Sequence, residues 1–140
     1  MDIDYRQTAR EFISAHPICH LATVDNGQPW CRAMYTNRLD DDFTVWFASF
    51  ASSNKIGQLN ANPRVCLSYF AGGCDVRLFG SAEILTDQPA KDAIWRPELA
   101  RFFPLGTADP ELVVLKVTPH RVLYRDSTTT EFNAVELLSE

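Results

Sequence analysis

The chain has 140 residues, 46% of them hydrophobic, four cysteines and a formal net charge of -5. That length and apolar content suit one domain, spanning 1–140, with a closed core and no need of disulfide or metal staples. The acidic balance excludes a nucleic-acid surface, which needs clustered Lys and Arg to neutralise phosphates.

The opening from Met1 to Tyr5 is acidic and lacks the basic region and apolar run of a secretory signal. No later stretch is long enough to span a bilayer, so a cytoplasmic protein without membrane contact is expected. Asp4 to Ala15 sets Tyr5, Ala9, Phe12 and Ile13 at helical spacing, and His16-Pro17 ends the pattern, giving an N-terminal helix within residues 1–17. Strand texture follows from Ile18 to Val24. A turn at Asp25-Asn26-Gly27 leads to a second strand from Trp30 to Arg38, and a turn at Asp40-Asp41-Asp42 to a third from Phe43 to Ala48.

Ser52-Ser53-Asn54 supplies helix caps for a short helix around Lys55 to Leu59, ended by Asn60 to Pro63. Arg64 to Phe70 returns to strand, Gly72-Gly73 turns the chain, and Asp75 to Leu85 forms a long strand in which Gly80 marks a bend or bulge. Gln88 to Phe103 reads as two short helices parted by Pro97, and Leu112 to Tyr124 as the last strand. Residues 126–140 form a tail, loose at Thr128-Thr129-Thr130. About six strands with short turns fit a small closed barrel or two packed sheets; periodicity alone leaves both open.

Cys19, Cys31, Cys66 and Cys74 contain no C-x-x-C and lie in apolar runs, as free thiols do. Zinc at Cys19, His20 and Cys31 is disfavoured because adjacent strand residues project to opposite faces, so no metal site is expected. His16, His20 and His120 form no Ser-His-Asp or Cys-His constellation, and no catalytic side chain is assigned. There is no Gly-rich dinucleotide fingerprint either. Ser52-Ser53-Asn54-Lys55 joins hydroxyls, an ammonium and a helix start, with Arg32 available from a nearby strand. This group reads either as a phosphate cradle or as plain helix caps beside a solvated lysine.

The order of short motifs resembles the pyridoxamine 5′-phosphate oxidase-like FMN-binding split barrels. The motifs are Leu21-Ala22-Thr23-Val24, Arg32-Ala33-Met34, Phe47-Ala48-Ser49, Ser53-Asn54-Lys55, Asn62-Pro63-Arg64-Val65 and Gly80-Ser81-Ala82. Ile94-Trp95 and Phe102-Phe103-Pro104 before Asp109-Pro110 resemble the general-stress-protein branch, and the likeness runs from about Asp4 to Arg125. The resemblance implies a mainly β fold with short helices, a six-stranded antiparallel split β-barrel. It also implies a homodimer with FMN at the subunit interface, consistent with an aromatic load too large for one small barrel.

By the same resemblance, Arg32, Ala33, Met34, Ala48, Ser49, Ser53, Asn54 and Lys55 meet the flavin. Gln58, one helical turn from Lys55, is a secondary phosphate contact. Trp95 covers the ring from the partner subunit or serves as plain packing. Two departures matter. Thr36-Asn37 stands where vitamin-oxidising members carry a Lys, which predicts a weaker flavin grip, and the tail lacks their basic substrate clasp, which argues against pyridoxamine phosphate as substrate. The resemblance therefore implies an FMN-dependent oxidoreductase of an unidentified small molecule and donor. A non-catalytic flavin carrier or stress-linked sensor, and a haem- or deazaflavin-binding relative, are the alternatives.

Overall fold

The computed structural model describes residues 4–137; Met1–Ile3 of the acidic opening and Leu138–Glu140 of the predicted tail lie outside the described residues. In chain order the elements are α1 (Arg6–Ala15), β1 (Ile18–Asp25), β2 (Gln28–Tyr35), β3 (Arg38–Leu39), β4 (Val45–Phe50), α2 (Asn54–Ala61), β5 (Arg64–Ala71), β6 (Cys74–Leu85), α3 (Gln88–Ile94), two 3-10 turns (Pro97–Arg101 and Gly106–Ala108), β7 (Leu112–Arg125) and β8 (Asn133–Val135). Among the described residues no helix is long and apolar enough to cross a membrane.

The strands form one antiparallel sheet in the order β2-β1-β5-β6-β7-β4-β3, with β8 added to β7. Eight segments thus stand where six strands are predicted, for two reasons. First, β2 and β3 are one stretch of chain interrupted at Thr36-Asn37. The Thr36 amide donates to the Pro17 carbonyl at the foot of β1, whereas the next amide, of Asn37, donates to the Trp46 carbonyl of β4. The chain thereby changes partners between the two ends of the sheet and closes it into a barrel of six staves, as closure of exposed edges requires. Second, the predicted tail, beyond its loose stretch at Thr128-Thr129-Thr130, returns as β8, pairing Asn133–Val135 with Val122–Tyr124. Three residues are too short a run for periodicity to register.

The predicted bend at Gly80 is a register shift in the β6–β7 ladder. A Cβ on Gly80 would lie 2.3 Å from the Thr118 carbonyl oxygen, so only glycine admits the close approach. Beyond this bulge β7 leaves β4 and pairs with β8 instead.

Alternation then sorts the side chains. Leu21, Phe47, Leu67, Leu78, Leu115 and Val117 point into the barrel, where Ala9 and Ile13 of α1 close one end. On the opposite face of β7, Leu112 and Val114 meet Ala90, Ile94 and Phe103, which α3 and the following turns lay over the sheet. This double coverage explains the unbroken apolar run from Leu112 to Leu115. Cys19 is fully buried beside Tyr69, whose hydroxyl shares a 2.7 Å hydrogen bond with Thr36. Burial pushes the Cys19 thiol up to about 11. His20 and Cys31, by contrast, face outward.

Candidate functional site

The seam at Thr36-Asn37 opens onto a cleft of about 700 Å³. Ala33, Met34, Tyr35 and Asn37 come to it from the second stave, Ala48, Ser49 and Phe50 from β4, and Lys55 from the first turn of α2. The opposite wall is the connection after α3, where Arg96, Glu98, Leu99, Arg101, Phe102 and Phe103 line the space.

Lys55 is 8% exposed, and its ammonium donates to the Ser49 hydroxyl at 2.9 Å and the Ser53 hydroxyl at 2.8 Å. Ser53 occupies the N-cap of α2, yet its side chain accepts from Lys55 rather than from a helix amide. Ser52 turns away, donating to Glu111 at 2.7 Å. The serines therefore do not act as plain caps, and the lysine is not a solvated charge. Burial lowers the Lys55 pKa, and the nearby Arg32 charge lowers it further.

Arg32 projects inward from β2. Its guanidinium donates to the Leu21 carbonyl at 3.2 Å, the Thr23 hydroxyl at 2.8 Å and the Gln58 side-chain oxygen at 2.7 Å. Gln58 is 5% exposed and also accepts from Thr23 at 2.6 Å. Burial lowers the Arg32 pKa as well, although a guanidinium stays charged throughout the biological range. All of these partners are neutral. Among the described residues neither Lys55 nor Arg32 has a carboxylate within ion-pair distance. Two neighbouring, partly desolvated cations without a counter-ion repel each other, and a bound anion relieves that cost.

Ten residues are expected at the site from the sequence, and the structure brings most of them together. Ala33, Met34, Ala48, Ser49 and Lys55 line the cleft, while Arg32, Ser53 and Gln58 hold its cationic floor from behind. Asn54 is exposed at the start of α2. Trp95 does not line the cleft of its own chain; it packs half-buried against the cluster of Ala90, Ile94, Phe103, Leu112 and Val114.

Sequence reasoning passes over the far wall. Asn37, recognised only as a missing lysine, is 4% exposed and ties three walls together. Its side-chain oxygen accepts from the Ala48 amide at 3.3 Å, its side-chain nitrogen donates to the Ile94 carbonyl at 3.3 Å, and its own carbonyl accepts from Arg96. A cation thus reaches this position after all, delivered from 59 residues further along the chain. The signal was the run Arg96-Pro97-Glu98-Leu99-Ala100-Arg101-Phe102-Phe103, in which arginines flank aromatic residues on a short turn.

Comparisons with known proteins agree with this fold. A family model described as pyridoxamine 5′-phosphate oxidase matches residues 5–126. General stress protein 26 of Bacillus subtilis (strain 168) is 31% identical over 124 residues, covering 85% of this chain and 86% of that protein. A Clostridium acetobutylicum protein related to general stress protein 26 has a solved structure with a TM-score of 0.84 at 24% identity, covering 95% of this chain and 97% of that one. The general stress FMN/FAD binding protein of Xanthomonas citri aligns with a TM-score of 0.76 at 18% identity, covering 96% and 97%.

Proposed function

The chain belongs to the pyridoxamine 5′-phosphate oxidase family, in its general-stress-protein branch, and from that premise we propose that it binds FMN in this cleft as a homodimer and uses it to oxidise or reduce a small molecule. The observation that carries the proposal is the Lys55–Arg32 pair, two cations that have no carboxylate partner among the described residues, beside an apolar-walled cleft. A phosphomonoester supplies the missing charge and the acceptor oxygens that an ammonium and a guanidinium take up. The Xanthomonas citri protein of the same fold binds FMN or FAD, which supports a flavin as the molecule carrying that phosphate.

FMN, once bound, supplies hydride and electron transfer, and the chain's own groups position it. Lys55 and Arg32 anchor the phosphate. Ala33, Met34 and Ala48 offer strand backbone and short side chains against which a flat ring can lie, while Asn37 holds β4 and Arg96 in place around it. A haem most often takes a His or Cys as its axial ligand, and the cleft lining offers only Met34 and Tyr35 in that role, which favours a flavin.

The dimer is supported by the outer face of β1 and β2. In-register pairs on neighbouring strands share a face. Ile18–Tyr35, Ala22–Cys31 and Val24–Pro29 therefore form an apolar strip interrupted by His20. Ile18 is 62% exposed and Tyr35 53% exposed. Tyr35 and Ala33 also line the cleft, so a second copy seated on this strip closes the cofactor site from outside.

The test begins with protein purified without added cofactor. Its visible spectrum is recorded and FMN, FAD, a deazaflavin and haem are titrated into the wild type, Lys55→Ala and Arg32→Ala. Tightest binding of FMN at one per chain, weakened roughly 10- to 100-fold by either substitution, is the expected result. Wild-type protein that takes up no flavin, or takes it up equally well without both cations, refutes the reading. Anaerobic reduction by candidate donors then separates an enzyme from a carrier or sensor.

A further inference from the structure

The chain is acidic overall, yet its cleft is positive. A phosphomonoester carries about -1.5 to -2 charges near neutral pH, which Lys55 and Arg32 together match. Arg96 and Arg101 remain on the far wall with Glu98, so one positive charge there is unmatched. Among the described residues neither guanidinium has a carboxylate within ion-pair distance.

Both guanidiniums are already held in place. Arg96 donates to the Asn37 carbonyl, and Arg101 lies 4.7 Å over the Phe102 ring. The surface around them is aromatic. Phe50 packs on Phe103 with centroids 4.8 Å apart and stands edge-on to Phe102 at 6.4 Å. Phe102 is 49% exposed at the cleft's edge. A planar fork of N–H donors takes two oxygens of a carboxylate, and aromatic edges and faces take a flat ring.

The geometry points to a second subsite in the same cleft, formed by Arg96, Arg101 and Phe102, for a small monoanionic carboxylate with a flat, unsaturated or aromatic body. This molecule is the reactant set beside the cofactor, and the inference rests on the flavin reading above. Glu98, on the same wall but not paired with either arginine, leaves the wall a net charge of one and repels a second negative group on the ligand. The subsite owes nothing to a basic tail.

Benzoate and cinnamate, with benzamide and cinnamamide as neutral partners, are titrated calorimetrically into the protein with and without saturating FMN. In the FMN-loaded protein each acid is expected to bind at least tenfold more tightly than its amide. Arg101→Gln abolishes that preference, Arg101→Lys restores part of it, and flavin fluorescence shows FMN affinity changed less than twofold. Arg101 is exposed, so thermal melts of both variants should match the wild type. Acids and amides that bind alike, the absence of binding by any of the four, or a preference that survives Arg101→Gln overturns the subsite. Failure of the flavin reading has its own signature. If the wild type binds no FMN yet still separates acid from amide through Arg101, the anion subsite stands and the cofactor assignment falls.

Discussion

Strands β7 and β2 are both rich in apolar residues, yet the fold treats them in opposite ways. From Leu112 to Leu115 every residue of β7 is buried, with Leu115 inside the barrel and Leu112 and Val114 under α3 and the turns after it. No residue of β2 is buried: Arg32 and Met34 are half-covered and the other six positions are exposed. The difference lies in what covers the outer face. Residues 88–108 supply a lid for β7 and β4, whereas nothing in the described chain lies over the outer face of β1 and β2. An apolar strand left open beside a cationic cleft is where the proposed cofactor and second copy would gain the most buried area.

The largest effect that tests this contrast is on stability. Leu115→Ala, a deletion within the barrel, is expected to cost about 2–5 kcal/mol in urea denaturation, as large-to-small core substitutions do. Ile18→Ala, at 62% exposure, should cost less than about 0.5 kcal/mol in dilute, monomeric protein. Equal costs would mean that β1 is covered within a single chain.

Next comes association. Tyr35→Asp places a charge in the middle of the apolar strip, and twice over across a two-fold axis. Sedimentation equilibrium should show the dimer weakened at least about tenfold, a change of roughly 1.4 kcal/mol or more. FMN occupancy should fall with it because Tyr35 also lines the cleft. A dimer indifferent to Tyr35→Asp would move the interface to another face.

A smaller effect is expected in the pH dependence of FMN binding. The fold lowers the Lys55 pKa from its ordinary 10.5, and a bound phosphate raises it again, so binding takes up protons in the interval between the two values. The dissociation constant should rise as pH increases through the depressed Lys55 pKa, and this dependence should vanish in Lys55→Met. The sign for folding is opposite: the free chain gains stability as pH rises through that interval, because the unfolded lysine holds its proton longer.

The smallest effect is chemical. Cys19 is fully buried with its thiol pushed up to about 11, while Cys31 is exposed on the proposed dimer strip. Mass spectrometry after brief iodoacetamide treatment at pH 8 should find Cys31 alkylated and Cys19 untouched. Alkylation of Cys31 should quicken on dilution as the dimer dissociates. Labelling of Cys19 at a similar rate would show that the barrel opens readily at its α1 end.

Much of this was legible in the sequence because the signals are local. Asp25-Asn26-Gly27, Gly72-Gly73 and Pro97 punctuate the chain at the places where its elements change. The outer boundaries of most strands follow from alternation and turn chemistry. Gly80 announced its bulge for a similar reason, since an isolated glycine in a strand signals close backbone approach. The Lys55 cradle was half legible: the residue types stand next to each other, but whether the serines cap the helix or hold the lysine depends on side-chain direction.

What the sequence determined by itself was the order of the main helices and strands and the family, because each rests on short-range pattern or on motifs in a fixed order. Tertiary structure alone decided three things. It broke one predicted strand at Thr36-Asn37, where successive amides serve opposite ends of the sheet. It carried Arg96 across 59 residues to the Asn37 carbonyl. It also placed the cover over β7 while leaving β1 and β2 bare. All three depend on which distant backbone groups and surfaces meet when the barrel closes, and a linear pattern has no term for that meeting.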